Sequence, residues 1–132
     1  MSLLDTARTY TGYLLETCKD YPYHNPAHTQ WVFDRATYLA MAEWVEWEDL
    51  EDLQLACLFH DTGFTVQYQK NEHVGAQIAR KWLIGQKHPE ERIEKIENII
   101  MATVLFSKPK TQIEKIIQDA DLDNIGTKNE FS

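Results

Sequence analysis

Apolar positions recur every three or four residues almost throughout this chain. Leu3, Leu4, Ala7, Tyr10 and Leu14 make one such stripe, Leu50, Leu53, Ala56, Cys57 and Phe59 a second, and Ile93, Ile96, Ile99, Ile100 and Thr103 a third. That spacing repeats one face of an α-helix, and no segment alternates convincingly at the period of two that a half-buried strand needs. The pattern predicts helices over residues 2–19, 26–46, 48–61, 72–86, 89–105 and 111–125, an all-α, compact bundle of about six helices. The longest connection, TGFTVQYQKN, follows His60 and Asp61 and is a suitable place for a substrate-facing loop. With no repeat, linker or low-complexity tract, residues 1–132 are expected to form a single domain.

Three segments interrupt the apolar pattern with chemistry. YHNPAHTQWVF, residues 23–33, sets His24 and His28 four apart with Pro26 between them. Asn25 is a good helix N-cap, and Pro26 suits the first helical position because its missing N–H would have been unpaired there anyway. His28 therefore belongs to the first turn of a helix and His24 lies outside it, so the two are not a pair on one helical face. In LACLFHDTGF, His60 and Asp61 sit side by side at the end of an apolar helix. Consecutive helical residues diverge by roughly 100°, so near the terminus one ion can be met by both. Gly63 is expected to cap that helix where the chain turns. In IIQDADLDNIG, the apolar neighbours Ala120, Leu122 and Ile125 put Asp121 close to the buried side, where an acid without a partner is costly.

Charge narrows the choice of partners. Of the 132 residues, 21 are acidic and 13 basic, a formal charge of −8, which opposes binding to a nucleic-acid backbone or an anionic membrane. An anionic substrate would need a local positive charge such as a metal ion. The longest apolar run, Ile99 to Phe106, is too short to span a bilayer, and MSLLDTARTY lacks a basic region followed by an apolar one. A soluble, cytoplasmic protein is expected. Cys18 and Cys57 form no C-x-x-C unit and read as small buried hydrophobes. None of Ser2, Ser107 and Ser132 lies in a G-x-S-x-G elbow, and the five glycines compose no nucleotide-binding loop.

His, then His-Asp, then Asp, carried on successive helices, resembles the HD superfamily of metal-dependent phosphohydrolases. YHNPAHT, LFHDTGF, NEHVGAQIA and DADLDNIG together resemble a branch of small bacterial HD-domain proteins, over about residues 21–127. The resemblance implies an HD-type helical fold with His28, His60, Asp61 and Asp121 as metal ligands. Such a nitrogen and oxygen set suits one divalent ion, Mn, Fe, Co, Ni or Zn, with Mg less natural. It further implies hydrolysis of a phosphomonoester or phosphodiester, with a nucleotide the leading substrate. Asp61, Glu72 and His73 are the candidate catalytic residues; some relatives carry an acid where Phe64 stands here, so either Glu72 replaces it or this protein lacks that proton-transfer step. Glu72 also reads as the acidic first turn of its helix. His24 either binds substrate phosphate, orients a ligand or packs a turn, and His88 reads as an exposed loop residue.

HD proteins of this kind generally continue with further helices after the last Asp motif, whereas this chain stops at GTKNEFS. A minimal domain, a truncated form or a site completed by a homodimer partner would each account for that. The competing function is a non-catalytic helical module that binds a nucleotide or a partner protein. Trp44 and Trp47 in MAEWVEWEDLEDL could anchor such a partner, although core packing is their commoner use.

Overall fold

The computed structural model describes residues 2–20, 25–67, 69–104 and 107–129, the last six for their backbone alone. Six α-helices run along it: α1 Leu3–Leu15, α2 Pro26–Ala42, α3 Trp47–Phe59, α4 Asn71–Gly85, α5 Glu90–Met101 and α6 Gln112–Asn129. Short 3-10 turns follow α1 (Glu16–Cys18) and α3 (Thr62–Thr65). No strand occurs among the described residues.

The starts of the helices follow local chemistry. Ser2 Oγ accepts from Asp5 N at 3.1 Å, and Asn25 Oδ1 accepts from His28 N at 2.8 Å with Pro26 in the first turn. At α6, Thr111 Oγ1 accepts from Glu114 N while Glu114 Oε1 accepts from Lys110 N, each at 3.1 Å, a reciprocal box that ties down two donors.

Three helices end about four residues earlier than periodicity predicts, α1 at Leu15 rather than 19, where the chain tightens into the 3-10 turn Glu16–Cys18. α2 stops at Ala42 rather than 46 because Val45 N donates back to Ala40 O at 3.0 Å and Trp44 N to Met41 O at 3.2 Å. Trp44 thereby adopts the left-handed conformation (φ 59°) usually left to glycine. α5 stops at Met101 rather than 105. Thr103 Oγ1 there donates to Ile100 O at 2.7 Å, and Gln118 of α6 donates to Ala102 O at 3.3 Å and to Ser107 O at 2.6 Å. A residue 16 positions away thus fixes that end, beyond the reach of a local pattern.

α3 is the central helix and touches all five others. Leu53, Leu55, Ala56, Cys57, Leu58 and Phe59 are all buried, so it is apolar nearly all round, as a core helix must be. One charge is buried with them. Asp52, fully inaccessible, accepts from Arg92 Nε at 3.0 Å and Nη2 at 2.8 Å, and Lys95 Nζ stands 3.2 Å from its other oxygen. Arg92 also reaches Glu51 at 2.7 Å, and Lys95 pairs with Asp49, so ion pairs pin α5 to α3. Asp52→Ala is expected to cost about 1–3 kcal/mol in a urea titration, because Arg92 and Lys95 lose their buried acceptor while keeping Glu51 and Asp49. A loss below about 1 kcal/mol would mean that water replaces the carboxylate.

Both cysteines are buried and free, as expected. No described helix is long and apolar enough to cross a membrane.

Candidate metal centre

The site forms where the start of α2, the end of α3 and the middle of α6 meet. His28 hangs from the first turn of α2, oriented by the Asn25 cap. His60 caps α3 with helical backbone angles, and Asp61 follows at φ −106°, ψ 3°, as the chain leaves the helix. Asp121 comes from α6, which packs along α2.

Four side chains converge here. His28 Nε2 lies 3.1 Å from Asp121 Oδ1 and 3.3 Å from Asp61 Oδ2, and His60 Nε2 lies 3.6 and 3.4 Å from the same two oxygens. The histidine rings tilt at 53° with centroids 5.4 Å apart. Ligand atoms each about 2.1 Å from one ion, at right-angled to tetrahedral spacing, stand roughly 3.0–3.4 Å apart, which these separations approach. His28, His60 and Asp121 each offer an atom within 4.8 Å of the other two and could hold a metal ion, and Asp61 reaches both histidines.

The surrounding contacts prepare the donors. His60 Nδ1 is 2.7 Å from Cys57 O, and because a carbonyl only accepts, Nδ1 carries a proton and Nε2 is turned to the centre. That buried Nε2 has no hydrogen-bond partner among the described residues. A cation answers this arrangement better than a hydrogen bond.

Electrostatics point the same way. Burial works against a charged His60, yet the charge of Asp61, then the close Asp121 carboxylate, push its pKa up to about 10. Asp121 is itself raised by burial, but the hydrogen bond from His28 and the closeness of both imidazoles hold it well below the usual carboxylate range. Burial, reinforced by Asp121, pushes the Cys57 thiol up, so Cys57 stays neutral beside the site.

A dependence on pH follows. With metal removed, His60 contributes stability that is fully present below its unfolded value of 6.5 and is lost as pH rises towards about 10. Asp121, depressed on folding, contributes stability present above 3.8 and lost as pH falls. The chelated protein is expected to lose melting temperature from pH 6.5 to 10, and metal-loaded protein to keep it, because deprotonated ligands bind the ion better. Parallel slopes in thermal melts of the two forms would contradict this.

The remaining predicted residues are placed unevenly. His24 lies outside the described residues. Glu72 is half-buried and His73 exposed in the first turn of α4, and neither bonds to the four converging side chains among the described residues. His88 is not a simple exposed loop residue. It is half-buried, its Nε2 has no hydrogen-bond partner among the described residues, and burial with the Arg92 charge lowers its pKa.

Gly63 corrects another expectation. It is not a left-handed cap, since none of the described glycines has positive φ. A Cβ on it would stand 1.8 Å from Asn71 O, so its role is to let the start of α4 close against the turn after Asp61. Sequence reasoning passed over Arg35, seven residues after His28 on the same flank of α2. Its Nε lies 3.5 Å from Asp123 Oδ2, two residues beyond Asp121.

The family whose model is described as HD domain matches residues 27–123. No curated protein and no solved structure gives a significant match.

Proposed function

The chain belongs to the HD domain family, and from that premise we propose that it is a metal-dependent phosphohydrolase acting on a small phosphorylated substrate, with nucleotides the first class to test. The single observation that carries the reading is the convergence of His28, His60, Asp61 and Asp121 from three helices, with the buried Nε2 of His60 facing two carboxylates. One divalent ion, Mn, Fe, Co, Ni or Zn, fits this mixed nitrogen and oxygen set better than Mg. When bound, it supplies a positive charge that polarises the phosphoryl group and acidifies water.

The chain's own residues do the rest. Asp61 and Asp121 concentrate negative charge against the two imidazoles, and Cys57 O fixes the His60 tautomer. Glu72, half-buried at the start of α4, is the proton carrier in this reading, and exposed His73 contacts the substrate. His24 takes a substrate phosphate oxygen. Close packing of Gly63 on Asn71 ties α4, which bears Glu72 and His73, to the turn that bears Asp61.

Phosphate release by the metal-loaded protein from a panel of nucleotides and simple phosphoesters tests the reading. Turnover that depends on added metal and is lost on chelation is the expected result, and none with any of the five metals would overturn it. Glu72→Gln is expected to lower kcat by about 100-fold, the size of a general acid or base contribution, with metal content unchanged. A fall in metal content instead would move Glu72 into the ligand set.

A further inference from the structure

Trp44 and Trp47 do not pack in the core. They are 91% and 79% exposed, and Tyr38 and Met41 on the outer side of α2 are 64% and 65% exposed. Four large apolar side chains are therefore exposed around the end of α2 and the start of α3, more than the single scattered exposures normal for a surface. Trp44 gains nothing from burial there and occupies a left-handed position that glycine would fill more easily.

Around Trp44 and Trp47 the charge has one sign, the nearest base at the far end of the patch being Arg35, whose guanidinium lies 5.5 Å over the Tyr38 ring. Residues 36–69 contain seven acids, Glu43, Glu46, Glu48, Asp49, Glu51, Asp52 and Asp61, and no lysine or arginine. Asp49, Glu51 and Asp52 are answered by Arg92 and Lys95. Among the described residues no cation pairs with Glu43, Glu46 or Glu48, the three that flank the tryptophans. Glu43 accepts only from neutral Gln112, at 2.9 Å. Gln112 also lines a groove of about 450 Å³ between α3, α5 and α6, whose walls carry Asp49, Glu91, Glu94 and Glu114 together with Lys95.

We propose that this face docks a basic segment of a partner protein, whose lysine or arginine side chains stack on Trp44 and Trp47 and pair with Glu43, Glu46 and Glu48. Cations attract aromatic faces, tryptophan most strongly, and aromatic residues are favoured anchors at interfaces. Charge selects this occupant. A second copy would bring the same unpaired acids against each other, and nucleic acid or an anionic bilayer would be repelled. The proposal stands apart from the metal centre and holds whether or not the protein is a hydrolase.

Calorimetric titration at physiological salt tests it. The probes are a tryptophan-free peptide of lysine and leucine and its counterpart with glutamate in place of lysine. Saturable binding of the lysine peptide alone is expected, weakening as salt rises and at least about tenfold in Trp44→Gly and in Trp47→Ala. Trp44→Gly relieves the left-handed strain, so its melting temperature should equal or exceed wild type while its binding falls, which separates docking from folding. Glu46→Lys with Glu48→Lys should weaken binding further. Absence of saturable binding, equal affinity in the tryptophan variants, or equal binding of the glutamate peptide would each overturn the proposal. So would a dimer seen by light scattering that Trp44→Gly dissolves, or a tryptophan emission shift on phosphatidylcholine–phosphatidylglycerol vesicles in place of peptide binding.

Discussion

Asp61→Ala is expected to empty the metal centre and reduce phosphoester hydrolysis by at least about 1,000-fold, the scale on which loss of a catalytic ion acts. Asp61 is one of two carboxylates against the histidine pair, at 3.3 Å from His28 and 3.4 Å from His60. Without it a divalent cation would meet two imidazoles and a single acid. Gently purified wild type should carry about one equivalent of Mn, Fe, Co, Ni or Zn by elemental analysis, and the variant almost none. Asp119→Ala is the matched control, because Asp119 lies on the same helix but only pairs with Lys115 at 3.0 Å, on the surface. It should keep both metal and activity. If Asp61→Ala keeps its metal but loses turnover, Asp61 acts on substrate. If wild type takes up none of the five metals, the phosphohydrolase reading falls and a binding module replaces it.

How far the sequence could be read depended on the range of the interaction involved. Helical periodicity located all six helices, since each apolar stripe is a local record of the face turned to the core. Asn25 and Pro26 fixed the start of α2 for the same reason: a cap and its helix are neighbours in the chain. Helix ends were harder. Trp44 and Lys87 both sit in left-handed positions (φ 59° and 60°) where glycine is the usual sign, so the turns they make leave little trace in composition.

The centre was legible in part because its ligand types are chemically rare at core positions. A buried histidine beside a buried aspartate demands a counterpart, and HD-type order suggested where to look. What local reading could not supply was the partner of a charge buried elsewhere in the core. Asp52 lies inside the same apolar stretch of α3 as Leu53 and Leu55, and only its ion pairs with Arg92 and Lys95, about 40 residues on, explain it. Trp44 and Trp47 failed in the opposite direction. Large aromatic residues usually go inside, and nothing in MAEWVEWEDLEDL alone says that these face water.

Gly63→Ala is the sharper test of how the fold serves the site. The added Cβ would lie 1.8 Å from Asn71 O, 2.7 Å from Gly75 N and 2.8 Å from Asn71 C, all backbone atoms that cannot swing aside. The turn carrying Asp61 and the first turn of α4 must therefore separate. Overpacking of this kind typically costs about 1–3 kcal/mol, and more where backbone has to move, so the variant should fall at or beyond the upper end in a urea titration. Since Asp61 rides on the displaced turn, metal content should fall with stability. Gly12→Ala is the counterpart. Gly12 lies in α1 with nothing within 4 Å of its would-be Cβ, and that substitution should add about 0.5–1 kcal/mol through helix propensity. Gly75→Ala, with Phe59 O at 3.0 Å and His60 O at 3.3 Å, should fall between the two. If Gly63→Ala instead matches wild type in both stability and metal content, the contact between α4 and the turn is looser than 1.8 Å implies, and Glu72 loses its fixed relation to the centre.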